Sequence, residues 1–202
     1  VRVAEAIRPA SDASCYKSLR WDIDAGYVAD KWPAEGLDRS DPRKIIFRKY
    51  QPEKVYALTS ISWLLPVEMN DDGTKILQVH YDKIIAPQTG YQEYGIEDAR
   101  ISRIDGRYYM TTCCVSSERH STVLYSSGNG LDYHLEGIIM DHQNKDMLLF
   151  EGKTGGIYYA MTRPLGSLYF MPARGTGHAP GPSINMAQSP DLLHWKPLDM
   201  PF

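Results

Sequence analysis

Two acidic side chains and one basic side chain lie close together in the stretch Gly95–Arg100, namely Glu97, Asp98 and Arg100. A carboxylic acid can donate a proton to the leaving oxygen when a glycosidic bond is cleaved, and neighbouring charges tune that transfer. In an extended segment Glu97 and Asp98 point to opposite faces and cannot act as a pair, whereas Asp98 and Arg100 share a face. The alternative interpretation is an ordinary salt bridge at the start of a strand.

Further charged residues follow at comparable places later in the chain. The segment Asn144–Asp146 lies at the start of a predicted strand, and Arg163 ends the next one. The Gly- and Pro-rich segment Leu165–Pro182 then contains Arg174 and His178, and such a segment is typical of a loop that closes over a site. Charged residues at strand ends usually only contact water, so each of these residues alone is weak evidence of function. The functional hypothesis depends on their equivalent positions in successive repeats.

The elements that position these residues are predicted to be short strands joined by Gly, Asp and Asn turns. Gly106–Thr112 resembles Gly156–Thr162 fifty positions later, and Lys54–Thr59 is a weaker copy. Repeats of this length, each with about four strands, are typical of β-propeller blades. Equivalent loops of such blades face one central funnel. A β-sandwich with chance repetition is the competing interpretation.

The length of the chain conflicts with a complete propeller. With a blade of about 55 residues, a chain of 202 residues holds fewer than the usual four to eight blades. Residues 1–50 carry no clear blade signature. We therefore expect a single propeller domain over residues 1–202 that represents a partial set of blades.

Composition excludes several classes of function. The formal net charge is -3, with 22 basic and 25 acidic residues, so nothing favours nucleic acid or an anionic membrane as a partner. The three cysteines have neither disulfide nor zinc spacing, and no metal site is predicted. No apolar stretch is long enough to span a bilayer. We expect a soluble protein, cytoplasmic or periplasmic, and homo-oligomerisation stays open.

The motifs together resemble glycoside hydrolase family 130. They are Gly95–Arg100, Ile104–Tyr109, Asn144–Asp146, Tyr158–Pro164 and Ser189–Trp195, in the family's order over about residues 55–197. The resemblance implies a five-bladed all-β propeller that acts on β-mannosides with inversion. Most such enzymes are phosphorylases that release mannose 1-phosphate, and a smaller branch are hydrolases.

The resemblance also implies roles for individual residues. Asp98 matches the general acid, which acts through a sugar hydroxyl. Residues expected beside the sugar are Glu97, Arg100, Asn144, Lys145 and Asp146, and those expected on the phosphate or nucleophile side are Arg163, Arg174 and His178. This chain departs from the family pattern at Ala99, where Pro is common, and at Glu151, which replaces the Pro after Phe150.

Phosphorolysis and hydrolysis differ in what attacks the anomeric carbon. Phosphate needs cationic groups to hold it and no base, whereas an inverting hydrolase needs a second carboxylate roughly 6.5–9.5 Å from the acid. Glu151 or Asp146 would serve as that base. The sequence favours phosphorolysis, with inorganic phosphate as co-substrate and no cofactor, acting on an oligosaccharide. A propeller that binds sugar without cleaving it is the third alternative.

Overall fold

The computed structural model describes residues 2–3, 14–47, 54–140, 142–164 and 184–201. The chain forms two compact units. The first comprises residues 1–97 and 114–119, and the second comprises residues 98–113 and 120–202. The single domain expected over residues 1–202 stays a prediction.

The first unit consists of small antiparallel sheets. β2 and β3 form a hairpin with eight facing pairs, from Cys15 opposite Pro33 to Asp22 opposite Gly26. The other sheets pair β1 with β7, β8 with β9, and β5 with both β4 and β6. Its strands are β1 (Arg2–Val3), β2 (Cys15–Asp22), β3 (Gly26–Pro33), β4 (Leu37–Asp38), β5 (Lys44–Phe47), β6 (Val55–Leu58), β7 (Ile61–Ser62), β8 (Val67–Met69) and β9 (Ile76–Val79).

Two four-stranded sheets follow, each with its strands hydrogen-bonded in chain order. The first sheet consists of β10 (Ile96–Ile104), β11 (Arg107–Val115), β12 (His120–Ser127) and β13 (His134–Ile138). The second consists of β14 (Asn144–Thr154), β15 (Ile157–Pro164), β16 (Asn185–Ser189) and β17 (Lys196–Pro201). These are the four-stranded blades that the fifty-residue repeat predicts.

The turns in the two sheets repeat as well. Asp105 and Gly106 turn the first hairpin with φ of 50° and 80°, and Gly155 and Gly156 turn the second with φ of 60° and 84°. A later turn in each sheet is held by a buried serine, Ser127 or Ser189. Its hydroxyl oxygen accepts backbone N–H groups two and three residues ahead, at 2.9 to 3.3 Å. Such side-chain acceptors stabilise turns that strand pairing alone leaves unsatisfied.

The core of the second unit lies between these two sheets. The Ser102 hydroxyl donates to the Leu149 carbonyl at 2.7 Å, and the Thr111 hydroxyl donates to the Met147 carbonyl. These bonds satisfy buried hydroxyl groups that would otherwise be costly to remove from water. The cluster of buried apolar residues comprises Ile104, Leu124, Ile139, Met140, Met147, Leu149, Tyr158, Ala160, Ala187, Leu192 and Trp195.

Three further features of the described residues bear on the sequence. Cys113 and Cys114 are buried on β11. Residues 15–47, where no blade signature is visible, nevertheless form the β2–β3 hairpin and the β4–β5 pair. Within the described ranges, no helix is long and apolar enough to cross a membrane.

Candidate active site

Asp98 lies near the start of β10 and has a left-handed backbone, with φ of 56°. The assumption that Gly95–Arg100 is regularly extended is therefore wrong at Asp98. The rule that successive side chains point to opposite faces does not hold across this residue. Asp is one of the few residues that adopt this conformation readily, because its short polar side chain can bond locally. The backbone turn re-aims the carboxylate at the place where β14 begins.

Asp146 has the same backbone conformation near the start of β14, with φ of 55°. Lys145 faces Arg163 and Leu148 faces Met161, so two residues of β14 lie opposite the single residue Thr162 of β15. This is a β-bulge, a device that redirects side chains at functional sites. Asp146 is the first of the two bulged residues.

An ion pair joins the two strand starts within the second unit. Lys145 Nζ lies 2.8 Å from Asp98 Oδ2, and both side chains are partly exposed, at 20% and 35% respectively. A charge-assisted bond of this length orients the carboxylate. Two residues that sequence reasoning placed in the site are therefore in direct contact.

Asp146 binds two guanidinium groups. Arg163 Nη2 forms a short ion pair with Asp146 Oδ2, and Arg100 Nη2 lies 3.7 Å from Asp146 Oδ1. Arg100 also donates from Nη1 to the carbonyl oxygens of Asp98 and Ala99, at 3.4 and 3.2 Å. Asp98, Arg100, Lys145, Asp146 and Arg163 thus form one cluster, called here the charged cluster, with three cationic and two anionic groups.

Asn144 is fully buried, with 0% exposure. Its Oδ1 accepts the backbone N–H of Arg163 at 3.2 Å, and its Nδ2 lies 3.2 Å from His142 Nε2. Its place beside the sugar stays a prediction, and its observed contacts are structural. It fixes the strand pair that carries Lys145 and Arg163.

His142 is a residue that the sequence reasoning missed. The N–H of Arg163 fixes which end of the Asn144 amide is the oxygen, so Nδ2 must be a donor and His142 Nε2 must be its acceptor. The neutral Nδ1–H tautomer of His142 meets this requirement. The only sequence signal was a histidine two residues before a polar strand start, which is too common a pattern to use.

The remaining predicted residues lie elsewhere. Glu151 is exposed, and its Oε1 accepts the backbone N–H of Arg103 at 3.2 Å. It lies five positions after Asp146 on β14, and its role as the base of a hydrolase stays a prediction. Glu97 is half-buried and belongs to the first unit. Arg174 and His178 lie outside the described residues.

Gly95 begins this stretch of chain and is sterically required. Its φ is 105°, and a Cβ atom at this position would lie 2.3 Å from both the backbone nitrogen and oxygen of Ser62. Ser62 N–H donates to the Tyr94 carbonyl at 3.3 Å, so the two backbones are in direct contact within the first unit. Only glycine permits both the positive φ and this approach.

The family model for glycoside hydrolase family 130, described as beta-1,4-mannooligosaccharide phosphorylase, matches residues 46–199. The chain belongs to glycoside hydrolase family 130. The family 130 match spans the first four-stranded sheet, all but the last two residues of the second, and every residue of the charged cluster. The all-β propeller-type fold expected from the repeats is confirmed, with an incomplete set of blades in this chain.

Two relatives in family 130 are known by their activities. The beta-1,2-mannobiose phosphorylase of Listeria innocua is 32% identical over 130 residues, which are 64% of this chain and 36% of that protein. The 1,2-beta-oligomannan phosphorylase of Thermoanaerobacter sp. is 29% identical over 131 residues, which are 63% of this chain and 38% of that protein.

The solved structure of the Listeria innocua enzyme in complex with beta-1,2-mannobiose is also similar. It has a TM-score of 0.75 and 26% identity, over 96% of this chain and 52% of that chain. This chain therefore spans about half the length of that structure.

Proposed function

We propose that this family 130 chain acts on β-mannosides by phosphorolysis with inversion and releases mannose 1-phosphate. The observation that carries the proposal is the Asp98–Lys145 ion pair at 2.8 Å beside the guanidinium groups of Arg100 and Arg163. Both relatives are phosphorylases of β-1,2-linked substrates, so we propose a β-1,2-linked oligosaccharide as the substrate. No cofactor other than inorganic phosphate is proposed.

The proposed reaction has one bond-forming and one bond-breaking event at the anomeric carbon. A phosphate oxygen attacks from the face opposite the leaving group, and the electron pair of the broken bond passes to the glycosidic oxygen. That oxygen receives the proton of Asp98, directly or through a sugar hydroxyl. The Asp98 carboxylate that remains is then stabilised by the ammonium group of Lys145.

The charge balance of the cluster suits an anionic nucleophile. Three cationic groups face two carboxylates, so the cluster has a net positive charge. Guanidinium groups bind phosphate through two parallel N–H bonds, and they can do so while one edge is held by a carboxylate. Arg174 and His178 remain part of the proposal on the phosphate side.

Hydrolysis is the alternative, and it requires a carboxylate that accepts a proton from water. Within the charged cluster the second carboxylate is Asp146, which binds two guanidinium groups. Both oxygens of Asp146 are already engaged by guanidinium groups, which leaves less capacity to bind and deprotonate a water molecule there. This arrangement favours phosphorolysis.

The test is an assay with β-1,2-mannobiose, with and without inorganic phosphate, and with β-1,4-mannobiose in parallel. We expect mannose 1-phosphate to form only with phosphate and faster from the β-1,2-linked substrate. Phosphate-independent release of mannose would instead establish hydrolysis. Sugar binding without cleavage would indicate that the protein only binds sugar, and it would contradict both reactions.

A further inference from the structure

A pocket of about 340 Å³ lies in the first unit, and the proposed reaction does not use it. The β2–β3 hairpin contributes Arg20, Asp30 and Trp32, β6 contributes Tyr56, and the segment before Gly95 contributes Glu93 and Tyr94. This volume is at the lower end of the range for ligand pockets in proteins. It suits a small ligand rather than a long chain.

The charged groups of the pocket are fixed in position by one another. Arg20 Nε lies 2.8 Å from Asp30 Oδ2 and 4.0 Å from Glu93 Oε1. Arg20 Nη1 donates to Asp22 Oδ2 at 3.1 Å, and the pKa of Arg20 is raised chiefly by that bond. The other oxygen of Glu93 accepts the backbone N–H of Ser117 at 2.7 Å. The wall therefore presents pre-oriented donors and acceptors.

Tyr94 is the second observation that points to a ligand. It lines the pocket, its side chain is only 6% exposed, and within the described ranges it has no side-chain hydrogen bond. Burial raises the pKa of Tyr94 to about 12, and the nearby negative charges of Glu93 and Asp30 act in the same direction. The hydroxyl oxygen is not one of the fully buried polar atoms that lack a partner, so it is accessible from the pocket as a neutral donor at pH 7.

Two aromatic rings complete the wall. Trp32 donates from Nε1 to Ser18 Oγ at 2.8 Å, which fixes the orientation of its indole ring. The Trp32 and Tyr56 ring centroids are 6.3 Å apart with an interplanar angle of 70°. Aromatic faces next to directed polar groups offer both surfaces that an amphipathic sugar ring requires.

We infer that this pocket, whose lining shares no residue with the charged cluster, is a carbohydrate site that binds one pyranose ring of an oligosaccharide. The carboxylates of Asp30 and Glu93 accept sugar hydroxyl protons, and Arg20 and the Tyr94 hydroxyl donate to sugar oxygens. Arg20 and Lys31 only balance these two carboxylates, so the lining has no net positive charge that would favour an anion such as phosphate. The inference does not depend on cleavage at the charged cluster, so either proposal can fail without the other.

The experiment titrates the whole chain with methyl β-D-mannopyranoside by calorimetry and ligand-observed NMR. Tyr94→Phe removes only the hydroxyl group, and Glu93→Gln removes a charge while it keeps an acceptor for Ser117. We expect each variant to bind the sugar at this pocket about five- to tenfold more weakly, as the loss of one hydrogen bond predicts. Tyr133→Phe is the matched control because it removes a buried, unpartnered tyrosine hydroxyl in the second unit.

Circular dichroism and the melting temperature establish that the variants are folded. The inference is overturned if folded Tyr94→Phe and Glu93→Gln bind the sugar as the wild type does. Binding of inorganic phosphate that is lost in these variants would also overturn it, since the pocket would then be an anion site. Phosphorolysis of β-1,2-mannobiose measured on the same samples reports separately on the charged cluster.

Discussion

Asp98 and Asp146 occupy equivalent positions in the two four-stranded sheets and share a left-handed backbone, with φ of 56° and 55°. Their ion pairs cross between the sheets. Lys145, which precedes Asp146, binds Asp98, while Arg100, which follows Asp98, binds Asp146. The repeated left-handed residue is thus accompanied by a reciprocal pair of cross-sheet contacts, and these contacts bring Asp98 to the cationic groups.

Asp98→Asn tests the acid directly. Asn adopts the left-handed conformation as readily as Asp, so we expect the free energy of unfolding to change by no more than about 1 kcal/mol. Turnover of β-1,2-mannobiose should fall by about 10² to 10⁴, the usual contribution of a general acid. Initial-rate assays and urea denaturation give the two quantities. Glu151→Gln is the matched control, and equal losses in both variants would contradict the assignment.

Lys145→Gln removes the cation that stabilises the Asp98 carboxylate after proton transfer. We expect kcat to fall at least about tenfold, with a smaller change in KM, because the contact matters most after charge develops on Asp98. Lys145→Arg should restore part of the rate. The stability of both variants should stay within about 1 kcal/mol, since this pair is partly exposed. A change in KM alone would indicate that Lys145 only binds substrate.

His142→Leu removes the acceptor for the buried Asn144 amide, whereas His142→Gln keeps one. We expect His142→Leu to lower the free energy of unfolding by about 1–3 kcal/mol, because a buried donor is left unsatisfied. His142→Gln should restore most of that loss. Nitrogen NMR of the wild type should show His142 as the Nδ1–H tautomer. Equal stability of both variants would contradict the acceptor role.

Gly95→Ala should be among the most damaging single methyl additions in the first unit. The new Cβ atom would meet the Ser62 backbone at 2.3 Å in a positive-φ position, so we expect a loss of about 3 kcal/mol or more. Gly73→Ala is the control, since Gly73 has a φ of 69° but open space around its Cβ position. It should lose only about 1–2 kcal/mol. Thermal and urea denaturation measure the difference.

Asp191 makes the stability of its turn depend on pH. Its pKa is lowered, first by the backbone N–H of His194 and then by the His194 side chain and the Leu193 N–H. A lowered pKa in the folded state contributes stability that is present above about pH 4 and is lost as the pH falls below it. Asp191→Asn keeps the acceptor oxygen and should reduce this loss between pH 5 and pH 2. An unchanged acid-denaturation curve would contradict it.

The sequence predicted the two complete sheets because their information is local. Strand lengths, turn residues and the repeat between Gly106–Thr112 and Gly156–Thr162 depend on neighbours in the chain. The β2–β3 hairpin was not predicted, because its alternation is mixed and it has no copy elsewhere. Its pocket was missed because Arg20, Asp30 and Tyr94 are far apart in the sequence.

The sequence by itself determined the strand-rich fold, the family and the five residues of the charged cluster as candidates. It did not determine how they are arranged, and it was misleading where it assumed an extended chain at Asp98. The tertiary structure decided that Lys145 meets Asp98, that Asn144 is buried and that Glu151 binds the backbone of Arg103. The reason is physical: side-chain direction in a strand depends on each preceding φ. One left-handed residue or bulge changes the direction, and only packing between sheets makes such strain tolerable.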